Sequence, residues 1–181
     1  GPRTLSIFPS QRKRGGISSG FNPLVIKDAE ALAKNKDHSW MIAPAMSGNR
    51  QIKHNNSNIN GEINGYLPIN FIVRGFDIGM GRIFTEKENL ARKKVIVLGS
   101  KVPGELKTTA KQLLNNDILV AGTSYKVIGI LKEEGSTGWQ NPDDDLYVPL
   151  LTASQRIFGT KRLGWINVGI SNNTNVDYVM M

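Results

Sequence analysis

Cysteine is absent from the 181-residue sequence. A disulfide framework, a thiolate metal site and a cysteine nucleophile are therefore excluded. The compartment stays open, because an oxidising space permits disulfides without requiring them. Histidine is nearly as scarce. His38 and His54 are the only two; they fall in different elements and have no partner at i+4, which argues against a histidine metal site or dyad. No apolar run nears the roughly 20 residues that a membrane helix needs. Nothing at the start reads as a secretory signal, and in a fragment any anchor would lie outside the sequence.

Catalytic and nucleotide motifs are missing too. The serines show no G-x-S-x-G turn. The run VIVLGSKVPG at 95–104 resembles a strand feeding a phosphate loop, but Gly104 is followed by Glu105 and Leu106 rather than Lys and Ser/Thr. Gly99 also lacks the glycine two residues on that a dinucleotide site needs. Basic residues outnumber acidic ones, 23 to 15, for a net charge of +8. They are scattered, not interleaved with aromatics, and no recognition helix is evident, so nucleic-acid binding is not expected. No catalytic, cofactor-binding or metal residue is nominated.

What is present is enough apolar surface to fold. Hydrophobic residues make up 39% of the chain, which places it among globular proteins. Thr4–Phe8 alternates as a half-buried strand ended by Pro9. Gln11–Gly20 is expected to be a basic loop. Ile26, Ala29, Leu32 and Ala33 share one face and predict a helix over 26–35. Trp40–Met46 reads as a strand, with Pro44 suggesting an edge or bulge. Ser47-Gly48-Asn49 reads as a turn. Arg50–His54 and Asn58–Asn64 read as hairpin strands around an asparagine turn.

A short helix is expected over 69–73, then a tight turn at Gly79–Arg82. Thr85 with Glu88 forms a capping box. Lys94–Leu98 is a buried strand, short helical turns follow it, and Ile118–Val120 with Tyr125–Leu131 makes a hairpin. The densest local information lies in 126–159: strand, glycine-rich acidic loop, strand, Pro149, and a helix over 152–158 stopped by Gly159. Trp165–Ile170 is a last strand. A helix opening at Thr174 or Asn175 is unfinished at Met181, so the fold is expected to continue.

Three features invite a function. The acidic run Asp143-Asp144-Asp145 lacks the ligand spacing of an EF-hand, and a structural pairing of Arg82 with Asp144 or Asp145 is expected instead. Aspartates beside glycine and proline also cap turns. Trp139, in the same loop, is a candidate interaction residue.

The chain also resembles a known family. RTLSIFPS, PLVIKDAEAL, INGYLPINFIVRGFDIGMGRIFTEKE, KVIVLGSKV, YKVIGILKEEG and DDDLYVPLLTASQRIFG follow one another as in the extracytoplasmic core domain of MacB-like ABC transporter permeases. Two positions depart: Val25 stands where a capping threonine is common, and 114–117 reads Leu-Asn-Asn-Asp where a Pro-x-Gly is usual. The resemblance implies an α+β fold of two lobes. A split β-α-β porter-like lobe takes 1–64 and 164–181, and 65–163 forms an inserted mixed α/β (Sabre-like) lobe. It implies no catalysis and no cofactor in this domain, ATPase activity being on a separate cytoplasmic domain. It further implies a place on the periplasmic face of the inner membrane, flanking membrane helices, dimerisation in the full-length transporter, and an adaptor and outer-membrane exit duct as partners. The alternative is a stand-alone module for an anionic ligand or a protein, using the positive charge.

Overall fold

The computed structural model describes residues 3–14, 17–35, 40–136 and 140–170. Trp139, His38 and the expected C-terminal helix lie outside them. β1 (Arg3–Ile7) is followed by a pair of strands, β2 (Ser10–Arg14) and β3 (Ile17–Asn22). The expected basic loop is thus largely strand. Its sequence carries no apolar alternation, so the β2–β3 pairing was not readable from the pattern. Helix α1 (Ile26–Asn35) matches its predicted bounds, and Ala29 is its buried contact.

β4 (Trp40–His54) runs for 15 residues without a break. The expected turn at Ser47–Asn49 is a correction: Gly48 is there because a Cβ would stand 2.7 Å from the Phe158 ring. Glycine inside a strand marks such a close approach. Pro44 does have a strand on one side only, since β5 (Ser57–Tyr66) joins β4 from Met46 onward. Asn55, at φ 51, turns the β4–β5 hairpin.

α2 (Pro68–Val73) leads to β6 (Ile78–Gly81). The tight turn expected at 79–82 is instead mostly strand, paired irregularly with β9 (Thr123–Leu131). Gly81 takes φ +72 at its end, so the turn chemistry is real but serves a bulged ladder. α3 (Glu86–Leu90), β7 (Val95–Leu98), α4 (Val102–Glu105), α5 (Ala110–Leu113) and β8 (Asp117–Val120) follow. Asn115, where the family's turn departs, adopts φ 65, a backbone that asparagine tolerates better than most residues. β10 (Leu146–Pro149) then feeds α6 (Leu150–Thr152), which widens into a π-turn over Ala153–Phe158 ended by Gly159 at φ 60. β11 (Trp165–Ile170) returns between β1 and β4.

The pairings close on themselves. β4 pairs β5, β5 pairs β10, β10 pairs β7, β7 pairs β9, β9 pairs β8, and β8 pairs β4 again at Ile52 and Lys53. Each strand of this ring sends a side chain (Ile52, Ile63, Leu146, Ile96, Val127, Ile118) into one buried cluster. A closed ring has no free edge inside it. β1 and β11 extend the same β4 in the other direction. α1 covers one face of that extension through Ala29, Ile42 and Val168, and α2 covers the other through Val73, Met41 and Ala43. A second core of Tyr66, Phe71, Phe84 and Tyr147 packs ring to ring at 5.1 to 5.6 Å.

Candidate functional site: an acidic, amide-lined cleft

Strand alternation builds the floor of a polar cleft. On β5, Gly61, Ile63 and Gly65 point inward while Asn60 and Glu62 are exposed. Their neighbours on β4 are Ser47, opposite Asn64, and Asn49, opposite Glu62. On the far side lie Ser6 and Asn167, joined by a 2.8 Å hydrogen bond from Ser6 Oγ to Asn167 Oδ1. The cleft measures about 860 Å³ and also takes in Arg74 at the end of α2, Glu105 of α4, and Gln140, Asn141, Asp144 and Asp145.

Four carboxylates, Glu62, Glu105, Asp144 and Asp145, face a single guanidinium, Arg74. Arg74 donates to the Tyr66 hydroxyl at 2.8 Å and to Gln140 Oε1 at 2.7 Å. Asn64 is 4% exposed; its amide donates to Asp145 Oδ2 at 3.3 Å and to the Leu146 carbonyl at 3.4 Å. Burial, with the neighbouring charge of Glu62, pushes Asp145 up to about 7, against the opposing pull of Asn64 and Arg74. Burial and a hydrogen bond with Asp144 raise Glu105 to about 7 as well, with Lys101 opposing. Two carboxyls in contact share a proton more readily than they both ionise. Burial raises the hydroxyl pKa of Tyr147 and Tyr66 in the aromatic core.

The three acidic neighbours have different roles. Asp143 is 4% exposed and caps the loop, accepting from the Glu134 and Gly135 amides at 2.7 and 2.9 Å. Asp144 and Asp145 face the cleft. Arg82 does not reach them: it pairs with Glu88 at 2.7 Å, and the hydrogen bond it donates draws Glu88 below the usual carboxylate range. Glu88 is thus shared between Arg82 and the Thr85 capping box. The expected Arg82 pairing is corrected because the N3 glutamate of that cap lies nearer than the acidic loop. Trp139 lies outside the described residues. Sequence reasoning missed Glu62, Asn64, Arg74 and Glu105. The polar alternation Asn60-x-Glu62-x-Asn64 was the available signal; Glu105 and Arg74 join the cleft only through tertiary folding.

Chemically, the cleft can donate and accept hydrogen bonds, attract positive charge and hold protons near neutrality. Among the described residues, no three acidic or histidine side chains are grouped to hold a metal ion.

The mixed α/β fold has known counterparts. The model of the MacB-like periplasmic core domain matches residues 1–181, and the chain belongs to that family. Its place is the periplasmic face of the bacterial inner membrane. The macrolide export ATP-binding/permease protein MacB of Bdellovibrio bacteriovorus is 32% identical over 182 residues, 99% of this chain and 28% of that protein. MacB of Hyphomonas neptunium is 26% identical, over 97% of this chain and 27% of its own length. The chain therefore spans little more than a quarter of these relatives.

Two solved structures share the fold. The periplasmic region of MacB from Actinobacillus actinomycetemcomitans superposes with a TM-score of 0.74 at 23% identity, covering 97% of this chain and 78% of that one. The extracellular domain of the ABC-type transporter YknZ from Gram-positive bacteria gives 0.76 at 19% identity, covering 97% and 88%.

Proposed function

We propose that the chain is the extracytoplasmic lever of an ABC exporter permease. ATP hydrolysis on a separate cytoplasmic domain moves membrane helices that flank this domain. Two copies in the assembled transporter then shift against each other and act on a periplasmic adaptor and an outer-membrane exit duct. The domain performs no reaction and needs no cofactor. In this reading the porter-like lobe, 1–64 with 164–181, takes the motion from the helices, and the Sabre-like lobe, 65–163, delivers it.

The observation that supports the reading is the course of β4. One unbroken strand pairs β11 at its start and β8 at its end, and β5 crosses the lobe boundary at 64/65. Motion entering at β1 and β11 reaches the strand ring through a hydrogen-bonded ladder rather than a loop. Close-packed interiors have low compressibility and pass strain on. The anionic-ligand alternative gains nothing from the main cleft, whose four carboxylates face one arginine.

The test is a tether. Paired cysteines are placed where the two periplasmic domains face each other in the full-length transporter, and the tether forms on oxidation. Export stops while ATP hydrolysis persists, and reduction restores export. Undiminished export from the tethered transporter would refute the reading.

A further inference from the structure

We propose that the cleft is a saccharide-binding site, taking a short glycan along its polar floor with preference for a sugar that carries an amine. The floor is a sheet face rather than a sheet edge. Ser6 lies opposite Asn167, and Ser47 opposite Asn64. Strand alternation sends Ile42, Met46, Ile63 and Val168 to the core on the other side. Neighbouring strands are about 4.8 Å apart and alternate residues roughly 6.7 Å apart. The floor is therefore a two-dimensional grid of amides and hydroxyls. Each of these groups both donates and accepts.

Sugar hydroxyls also donate and accept, at comparable intervals along a chain. An extended peptide would instead seek the unpaired backbone of an edge strand. The side-chain amides of Asn49 and Asn60, both exposed, make no hydrogen bond with the described residues. Trp165 lines the same cleft, as does Phe8, 58% exposed; they supply flat apolar surface for the unpolar face of a sugar ring. At the opposite end, Glu62, Glu105, Asp144 and Asp145 gather against Arg74. That end favours an ammonium over a neutral acetamido group.

The 181-residue chain is titrated with chitotetraose and with its deacetylated, amine-bearing counterpart, followed by side-chain amide NMR. Both oligomers shift the Asn49, Asn60 and Asn64 signals. The amine form binds more tightly. Its advantage narrows in high salt and as pH falls below about 7, where Glu105 and Asp145 take up protons. Asn49→Ala and Asn60→Ala, at exposed positions, each weaken binding by about tenfold, the scale of one lost hydrogen-bonding group. Lys87→Ala, on α3 away from the cleft, leaves binding unchanged. The proposal is overturned if neither oligomer moves the cleft signals, if both variants bind as well as the parent chain, or if tetralysine gives the same shifts as the amine glycan. Because the assay uses the isolated chain, its failure leaves the lever reading intact, and the tether experiment is independent of it.

Discussion

At the scale of single residues, neighbours decide more than residue type. Arg82 and the acidic run are oppositely charged, yet Arg82 binds Glu88, six residues along, rather than Asp144 or Asp145. The capping box was legible because Thr85 and Glu88 have fixed spacing. The aspartate partners were not, because a loop between β9 and β10 places them. Thr85→Ala removes a cap and lowers stability by about 1 kcal/mol. Arg82→Ala affects a half-exposed ion pair and costs about 0.5 kcal/mol or less. Urea melts of the two variants check this order. Gly99 is a sharper case. An added Cβ would meet the carbonyl oxygens of Pro142 and Asp143, both backbone atoms that cannot swing away. Gly99→Ala is expected to lose about 2 kcal/mol or more and to disturb the cleft amide signals. The sequence shows a glycine ending a strand; the reason for it is a backbone contact more than forty residues downstream.

At the scale of elements, periodicity identified what packs on an apolar face. α1 and the β4–β5 hairpin have one-sided burial, and their patterns were readable. β2 and β3 were not, since their sequence carries no apolar alternation; in β6, Ile78 and Met80 do alternate, but Gly79 and Gly81 between and after them read as a turn. β4 was split at Gly48 because local turn chemistry outweighed a contact with Phe158. The aromatic group around α2 is a strong test of packing. Phe71 is 2% exposed and touches the rings of Tyr66, Phe84 and Tyr147, so Phe71→Ala is expected to cost about 3–5 kcal/mol, measured by chemical unfolding.

The cleft elements also make a pH prediction. Asp145 and Glu105 have folded pKa values of about 7, above their ordinary 3.8 and 4.5. Between those limits the folded state binds more protons than the unfolded one, so stability falls as pH rises through about 4 to 7. Glu88 acts oppositely, its contribution fading only as pH drops below the ordinary glutamate range. The melting temperature is expected to be a few degrees higher near pH 5.5 than near pH 8. Asp145→Asn together with Glu105→Gln should flatten that slope; an unchanged slope would show that these carboxyls ionise normally.

At the scale of the whole molecule, the order of motifs revealed the family while no single motif did. Composition excluded cysteine chemistry, and the succession from RTLSIFPS to DDDLYVPLLTASQRIFG supplied the rest. The closure of six strands into a ring was not legible. β8 meets β4 across more than sixty residues of chain, and no local pattern encodes that contact. Closure matters to the proposed role, because a ring hydrogen-bonded on all sides resists shear better than an open sheet with free edges. The ring and the β1–β11 extension share β4, so the body should move as one piece.

Rigid movement can be measured directly in the full-length transporter. Spin labels at Lys27 on α1 and Lys87 on α3 report the distance within one domain; one label per subunit at Lys87 reports the distance between two. Double electron–electron resonance is recorded without nucleotide and in an ATP-hydrolysis-trapped state. The within-domain distance is predicted to stay constant while the between-subunit distance shifts. A changed internal distance with the subunits fixed relative to each other would contradict the account.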